Sequence, residues 1–226
     1  MKNLHIQIEV SQELYCKNPD SSDLGRMILK KSIEMIYDMG FEAFTFKKLG
    51  TEINSPESSI YRYFSNKHSL LLYLTSWYWT WMELQLVFAT SNITNAKDKL
   101  ARAIEILTKP VSEDLSISYI NEILLSEIIF SESIKAYHTK NVDKENKRGC
   151  FKAYKSVVAR VSDIVLELKP NYEYPHMLIS TIIEGAHHQK YFAEHLPALT
   201  DIKQKVDAIT QFYKELVFNS LSREKT

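Results

Sequence analysis

The chain has 226 residues, 45% of them hydrophobic and 25% charged, with 28 basic residues balanced by 28 acidic ones. That composition supports a buried core, and it excludes both a disordered chain and one drawn to nucleic acid by overall charge alone. Two distant cysteines, Cys16 and Cys150, frame neither a disulfide network nor a thiolate metal site.

Residues 4–10, LHIQIEV, alternate apolar and polar with a strand period. The run that follows, with Asn18-Pro19-Asp20, reads as irregular, so residues 1–22 are predicted to form an N-terminal arm on the surface. From Asp23 the period is helical: Leu29, Ile33, Ile36 and Tyr37 form one stripe, and Gly40 suits a left-handed cap. Thr45 is placed to N-cap a short second helix through Phe46, Leu49 and Ile53, and Asn54 tolerates the left-handed turn after it. Ser55-Pro56-Glu57 then starts a third helix with a hydroxyl cap, a proline at the first position and an acid at the positive dipole end. That helix is predicted to end near Phe64, with Ser65 capping a long fourth helix from about Asn66 to Ser91. Further helices are predicted over 95–108, 114–130, 132–140, 145–168, 175–195 and 202–221, with Pro110, Pro170 and Pro197 in the breaks.

Only five glycines occur, no two closer than ten residues, so G-x-G-x-x-G, the Walker loop and the G-x-S-x-G elbow are all absent. The chain reads as all-α. No run reaches the roughly 18 apolar residues of a membrane helix, and the first residues do not look like a signal peptide. The expectation is a cytoplasmic protein with no membrane partner.

Helix, tight turn, helix in the first part of the chain is the helix-turn-helix pattern. Its second helix enters the major groove with its N-terminal residues nearest the bases. Ser58 and Ser59 occupy those positions, and a hydroxyl can donate or accept there. Tyr61, Arg62 and Tyr63 follow, Lys67 lies just inside the next helix, and Lys47 and Lys48 lie on the preceding one. Tyrosine reaches phosphate oxygen through its hydroxyl, while arginine and lysine supply charge.

The stretch GFEAFTFKKLGTEINSPESSIYRYFSNKHSLLLYL, residues 40–74, resembles the DNA-binding segment of TetR-type transcriptional regulators. The likeness runs over residues 23–74 and is most specific in Ser59 to Phe64, followed by Lys67 and Leu70. It implies that Thr45 holds a phosphate, that Ser58, Ser59 and Tyr61 face bases or nearby phosphates, and that Tyr63 and Lys67 grip the backbone. Ile60 and Phe64 would pack inward. Residues 23–66 would be the helix-turn-helix DNA-binding domain, and 67–226 a helical effector-binding and dimerisation domain. Between residues 23 and 68, seven basic side chains face six acidic ones, a net +1, so one copy should grip DNA weakly. Acidic Glu57 near the groove would repel phosphate, although it could accept from a cytosine amino group.

In the long fourth helix, Leu70, Leu74, Trp77, Trp81, Leu84 and Phe88 share a face, and Trp79 points elsewhere, towards solvent. Such a stripe fits plain core or the wall of a ligand cavity. The resemblance makes this helix the link between reader and effector cavity. The candidate lining is Trp77, Trp81, Leu84, Phe88, Tyr119, Ile123, Phe151, Tyr154 and His188, suited to a small apolar or aromatic effector. Glu184 and His188 have the i, i+4 spacing of metal ligands, but no third ligand completes a set, so no metal or cofactor is expected. No nucleophile is placed beside a base, so catalysis is not expected.

A helix-turn-helix reads a half-site, so two copies at fixed spacing are needed. The last two long helices carry apolar stripes, and the resemblance implies that they form an intermolecular four-helix bundle in a homodimer. Its candidate residues are Ile182, Gly185, Ala186, Gln189, Ile209, Phe212 and Leu216. The whole predicts a repressor of TetR type, released from double-stranded operator DNA by its effector. Two other readings stay open: a helical interaction protein of this architecture that no longer binds DNA, and an enzyme acting on a hydrophobic molecule.

Overall fold

The computed structural model describes residues 8–112, 119–202 and 207–222. Among these the regular structure is helical throughout, without a strand. Of the alternating stretch at 4–10, residues 4–7 lie outside the described residues, and 8–10 form no regular element. The rest of the arm is ordered, with short 3-10 turns at Gln12–Leu14 and Pro19–Ser21 that bury Leu14 and Pro19.

Helix α1 spans Asp23–Ala43, and its cap is Ser22, whose hydroxyl accepts from the Gly25 N–H at 3.2 Å. Its inner face buries Ile28, Leu29, Ser32, Ile33 and Ile36. At Gly40 the backbone takes φ 76°, ending the regular helix where only glycine is unstrained, with a last turn beyond it. Thr45 caps α2, Phe46–Glu52, by accepting from the Lys48 N–H at 3.2 Å. Asn54 takes φ 51° in the turn, and the Ser55 N–H bonds the Gly50 carbonyl at 2.9 Å.

Helix α3 is shorter than predicted, Glu57–Tyr61. Pro56 is the flanking residue, and neither it nor Ser55 supplies a side-chain cap. Beyond Tyr61 the chain tightens, with the N–H groups of both Tyr63 and Phe64 bonded to the Ile60 carbonyl. Helix α4 spans Lys67–Thr90, and the side chain that caps it is Asn66 rather than the predicted Ser65. Asn66 Oδ1 accepts from the Ser69 N–H at 2.8 Å, and Ser69 Oγ accepts from the Asn66 N–H at 3.2 Å. This reciprocal box requires the capping residue to stand immediately before the helix, and Ser65 is one position too early.

The later helices are α5, Ala96–Thr108; α6, Glu122–Ser131; α7, Ser133–Tyr137; α8, Val142–Lys147; α9, Lys152–Leu168; α10, Pro175–His195; and α11, Ala208–Ser222. Part of the helix predicted over 114–130 lies outside the described residues, and α6 starts only at Glu122, where Asn121 caps it. The helix predicted over 145–168 is interrupted between α8 and α9, where Gly149 takes φ 82°. Part of the helix predicted over 202–221 also lies outside the described residues.

By packing, the chain divides into two compact units, Met1–Trp81 with Val111–Tyr154, and Met82–Pro110 with Lys155–Thr226. In the first, every residue from Leu70 to Trp79 is buried, α6 lies on α1, and Phe44, Leu49, Ile60 and Phe64 close the short helices together. In the second, α5, α10 and α11 pack on one another, with a buried hydrogen bond from the Thr108 hydroxyl to that of Thr210 at 2.9 Å. Near its surface Glu105 gathers Arg102, Lys109 and Lys214. None of the described helices is long and apolar enough to cross a membrane.

The arm reaches α1 through Gly25. A Cβ there would lie 2.1 Å from the Pro19 carbonyl oxygen and 2.7 Å from its carbonyl carbon, both backbone atoms. Gly25→Ala is therefore expected to destabilise the protein by about 1–3 kcal/mol, the range for overpacking. A urea midpoint equal to that of the wild type would contradict this close approach.

Candidate nucleic-acid interface

The end of α1, with α2 and α3, sorts the predicted DNA residues by exposure. Thr45, Lys47, Lys48, Ser58, Tyr61 and Arg62 are exposed, and Ser59 is half-buried. Thr45 reaches solvent at the N-terminus of α2 while it caps that helix, and Lys48 Nζ donates back to the Ala43 carbonyl at 2.7 Å. Tyr61 is 48% exposed, with its ring edge-on to Phe46 at 5.1 Å between centroids. Partial desolvation, then a hydrogen bond with Glu57 and that residue's charge, raise its phenol above the ordinary value. Glu57 is thus half-buried and engaged by the Tyr61 hydroxyl.

The two residues expected to grip the backbone lie differently. Tyr63 is only 3% exposed. Its hydroxyl is 2.8 Å from that of Ser22 and accepts from Lys17 Nζ at 3.3 Å. Burial alone would raise this phenol, but those hydrogen bonds and the charges of Lys17 and Arg62 bring it below its ordinary value. Lys67 is half-buried, and its ammonium donates to the carbonyls of Phe41 at 2.9 Å, Glu42 at 3.1 Å and Phe44 at 3.4 Å. It also stands 4.7 Å above the Phe41 ring centre. Both residues are therefore already used in holding the reader together.

The predicted cavity residues fall in both units. In the first, Trp77, Trp81 and Phe151 are buried, Tyr119 and Tyr154 are half-buried, and Ile123 is exposed. Trp79, predicted to face solvent, is instead 2% exposed. Its ring stacks on Tyr154 at 4.2 Å, and its indole N–H donates to the Tyr137 hydroxyl at 3.1 Å. Tyr137 in turn stacks on Tyr154 and meets Phe151 edge-on. Tyr78, fully buried, adds edge contacts to Trp79 and Phe130. Tyr119 stands apart from this stack: its hydroxyl donates to Asp20 at 2.9 Å, and burial then raises both groups.

In the second unit Leu84 is half-buried, while Phe88 and His188 are exposed. A groove there is lined by charge, with Arg160 paired to Glu83 at 2.8 Å and Lys99 to Glu167 at 2.9 Å, beside Asp163. None of the predicted cavity residues lines it. Among the described residues no group of three His, Cys, Asp or Glu side chains could hold a metal, and the Glu184/His188 pair acquires no third ligand.

The predicted dimer residues also separate. Ile182 and Ala186 are fully buried in the protomer's own core. Gly185 lets Tyr213 of α11 approach, since a Cβ there would lie 2.2 Å from the tyrosine oxygen. Gln189 accepts from the Thr200 hydroxyl at 2.7 Å, and Ile209 is half-buried. Phe212 and Leu216, one turn apart on α11, remain 55% and 41% exposed, and Met177 and Tyr191 on α10 are exposed as well.

Three short helices with hydroxyls, a tyrosine and cations on their outer side, followed by longer helices, have the arrangement of a helix-turn-helix domain. Residues 28–74 match the model of bacterial regulatory proteins of the tetR family. Several solved structures share the fold. AibR, in its complex with isovaleryl coenzyme A and operator DNA, is 14% identical, with a TM-score of 0.58 over 85% of this chain and 98% of that one. The superantigen PfiT is 11% identical, with a TM-score of 0.58 over 92% and 100% of the two chains. A TetR-family transcriptional regulator described from Mesorhizobium loti MAFF303099 is 12% identical, with a TM-score of 0.54 over 91% and 98%. Comparison with curated proteins gives no significant match.

The aromatic stack carries its own test. Tyr137→Phe removes the oxygen that accepts from Trp79 and leaves a buried N–H unbonded, which should lower stability by about 1–3 kcal/mol. Unchanged urea unfolding, followed by tryptophan fluorescence, would show that this hydrogen bond is not needed.

Proposed function

We propose that the protein binds double-stranded operator DNA as a homodimer, and that it is a repressor released by a small, largely apolar effector. Residues 23–66 are the DNA reader, and 67–226 bind the effector and form the dimer. The observation that carries this reading is the coincidence of the family match over residues 28–74 with outward-facing Thr45, Lys47, Lys48, Ser58, Tyr61 and Arg62. Ser58 and Tyr61 are the candidates for base edges and nearby phosphates, and Lys47, Lys48 and Arg62 for the phosphate backbone.

A net charge of +1 over residues 23–68 gives one copy little hold on DNA, which supports a dimer spanning two half-sites. The apolar side chains of Phe212 and Leu216 on α11, exposed in the protomer, support the same assembly. The stack of Trp79, Tyr137 and Tyr154 supports an aromatic-lined site for the effector. AibR is seen with isovaleryl coenzyme A and operator DNA, which supports a regulator that answers to a small molecule. By linkage, such an effector must bind the DNA-free conformation more tightly than the operator-bound one.

A second reading is a helical interaction protein that keeps this architecture without binding DNA. The internal engagement of Tyr63 and Lys67 favours it, as does the occurrence of the fold in a superantigen.

A mobility-shift assay with DNA from upstream of the protein's own gene separates the two. The regulator reading expects a salt-sensitive, sequence-specific shift, weakened about tenfold by Arg62→Ala and by Lys48→Ala, with helicity unchanged. No specific shift at any dimer-forming concentration would leave the interaction protein as the better account.

A further inference from the structure

With the ammonium of Lys67 turned to carbonyls inside the reader, Arg62 is the exposed cation that directly follows α3. The N-terminal arm brings a second one there. Lys17 is exposed; its Nζ donates to the Tyr63 hydroxyl at 3.3 Å and lies 5.0 Å from the centre of that ring. One residue earlier, the Cys16 N–H donates to the Tyr63 carbonyl at 2.7 Å, so backbone and side chain both dock on the same tyrosine. Exposed Arg62 is its neighbour in sequence, and its charge and that of Lys17 both act on the Tyr63 hydroxyl.

The arm is fixed on both sides of Lys17. Before it, Arg148 donates to the Glu13 carbonyl at 2.6 Å, and Tyr15 packs edge-on against Tyr73 at 6.0 Å. After it, Pro19 presses on Gly25, and the Asp20 carboxylate accepts from Tyr119 at 2.9 Å and Tyr73 at 3.4 Å. A lysine ordinarily gives up considerable rotamer freedom when it binds an anion. Here the ring and hydroxyl of Tyr63 already hold it. A phenol orients an ammonium without neutralising it, and the hydrogen bond to Tyr63 is a contact with a neutral oxygen, so the full charge stays available to an anion.

We propose that Lys17 is a preorganised phosphate contact that, with Arg62, extends the DNA-binding surface from α3 onto the N-terminal arm. This rests on the DNA-binding reading above. It assigns to residue 17 a role that lies outside the helix-turn-helix pattern and ahead of the matched segment, which starts at residue 28.

The test uses the full-length chain and a fluorescein-labelled duplex that the wild type has selected from a random-sequence pool. Binding is followed by anisotropy across a salt series. Lys17→Gln should weaken binding about three- to tenfold and reduce the slope of log affinity against log salt by about one per bound protomer. Lys17→Arg should keep the wild-type slope. Tyr63→Phe, which loosens the arm but removes no charge, should lower affinity without changing the slope.

A Lys17→Gln slope equal to that of the wild type overturns the inference whatever the affinity, because loosening alone does not alter counterion release. If Arg62→Ala reduces the slope and Lys17→Gln does not, Lys17 is excluded while the DNA-binding reading stands. If the wild type selects no duplex, that reading falls and the inference falls with it.

Discussion

Everything in the reader hangs on how the chain leaves α1. Gly40 breaks the helical ladder with φ 76°, and the peptide groups beyond the break find partners outside α1. The Phe41 N–H is taken by the Glu132 carboxylate at 3.1 Å, from the junction of α6 and α7. The carbonyls of Phe41, Glu42 and Phe44 are taken by the ammonium of Lys67, at the start of α4. The Phe41 N–H is the buried one, and left without a partner it would cost about 1–3 kcal/mol. These two charged side chains therefore determine where the last turn of α1 points and where α2 begins. Lys135 stands beside Glu132 at 2.7 Å, so the carboxylate that holds the break is itself neutralised.

That constraint divides the cations between two tasks. Lys67 directs its N–H donors to the carbonyls of Phe41, Glu42 and Phe44, which makes it a positioning residue for the end of α1 and the start of α2. Tyr63 has the same character: buried, with its hydroxyl shared between Ser22 and Lys17, it ties the arm and the start of α1 to the end of α3. From the start of α2 to the residue after α3 the outward cations are few: Lys47, Lys48 and Arg62.

Away from the reader, two different kinds of apolar surface lie on the long helices. Along α4 the run from Leu70 to Trp79 is buried on all sides, and a helix apolar all round belongs inside a protein. Assigning a single face to its aromatic residues put Trp79 outside, yet it stacks on Tyr154 and bonds Tyr137. Between residues 70 and 79 no polar stripe divides the helix into an inner and an outer face. On α10 and α11 the apolar stripes were broader than one contact needs. Ile182 and Ala186 serve the protomer's own core and Gly185 admits Tyr213, which leaves Phe212 and Leu216 outward.

The sequence alone determined the all-α class, the helix-turn-helix, and the local devices that shape it: Thr45 as a cap, Gly40 and Asn54 in left-handed turns, and Ile60 and Phe64 as inward anchors. These depend on steric limits and hydrogen bonds within a few residues, so residue type and spacing reveal them. Which polar side chains face out was decided only by tertiary structure. Tyr63 and Lys67 look like free grips in the sequence, but their partners are Ser22 and Lys17 from one direction and the end of α1 from another, about 20 to 50 residues away along the chain. Hydrogen-bonding capacity is written in the residue type. Whether that capacity is already satisfied depends on what the fold brings within 3 Å or so of it, and no local pattern records that.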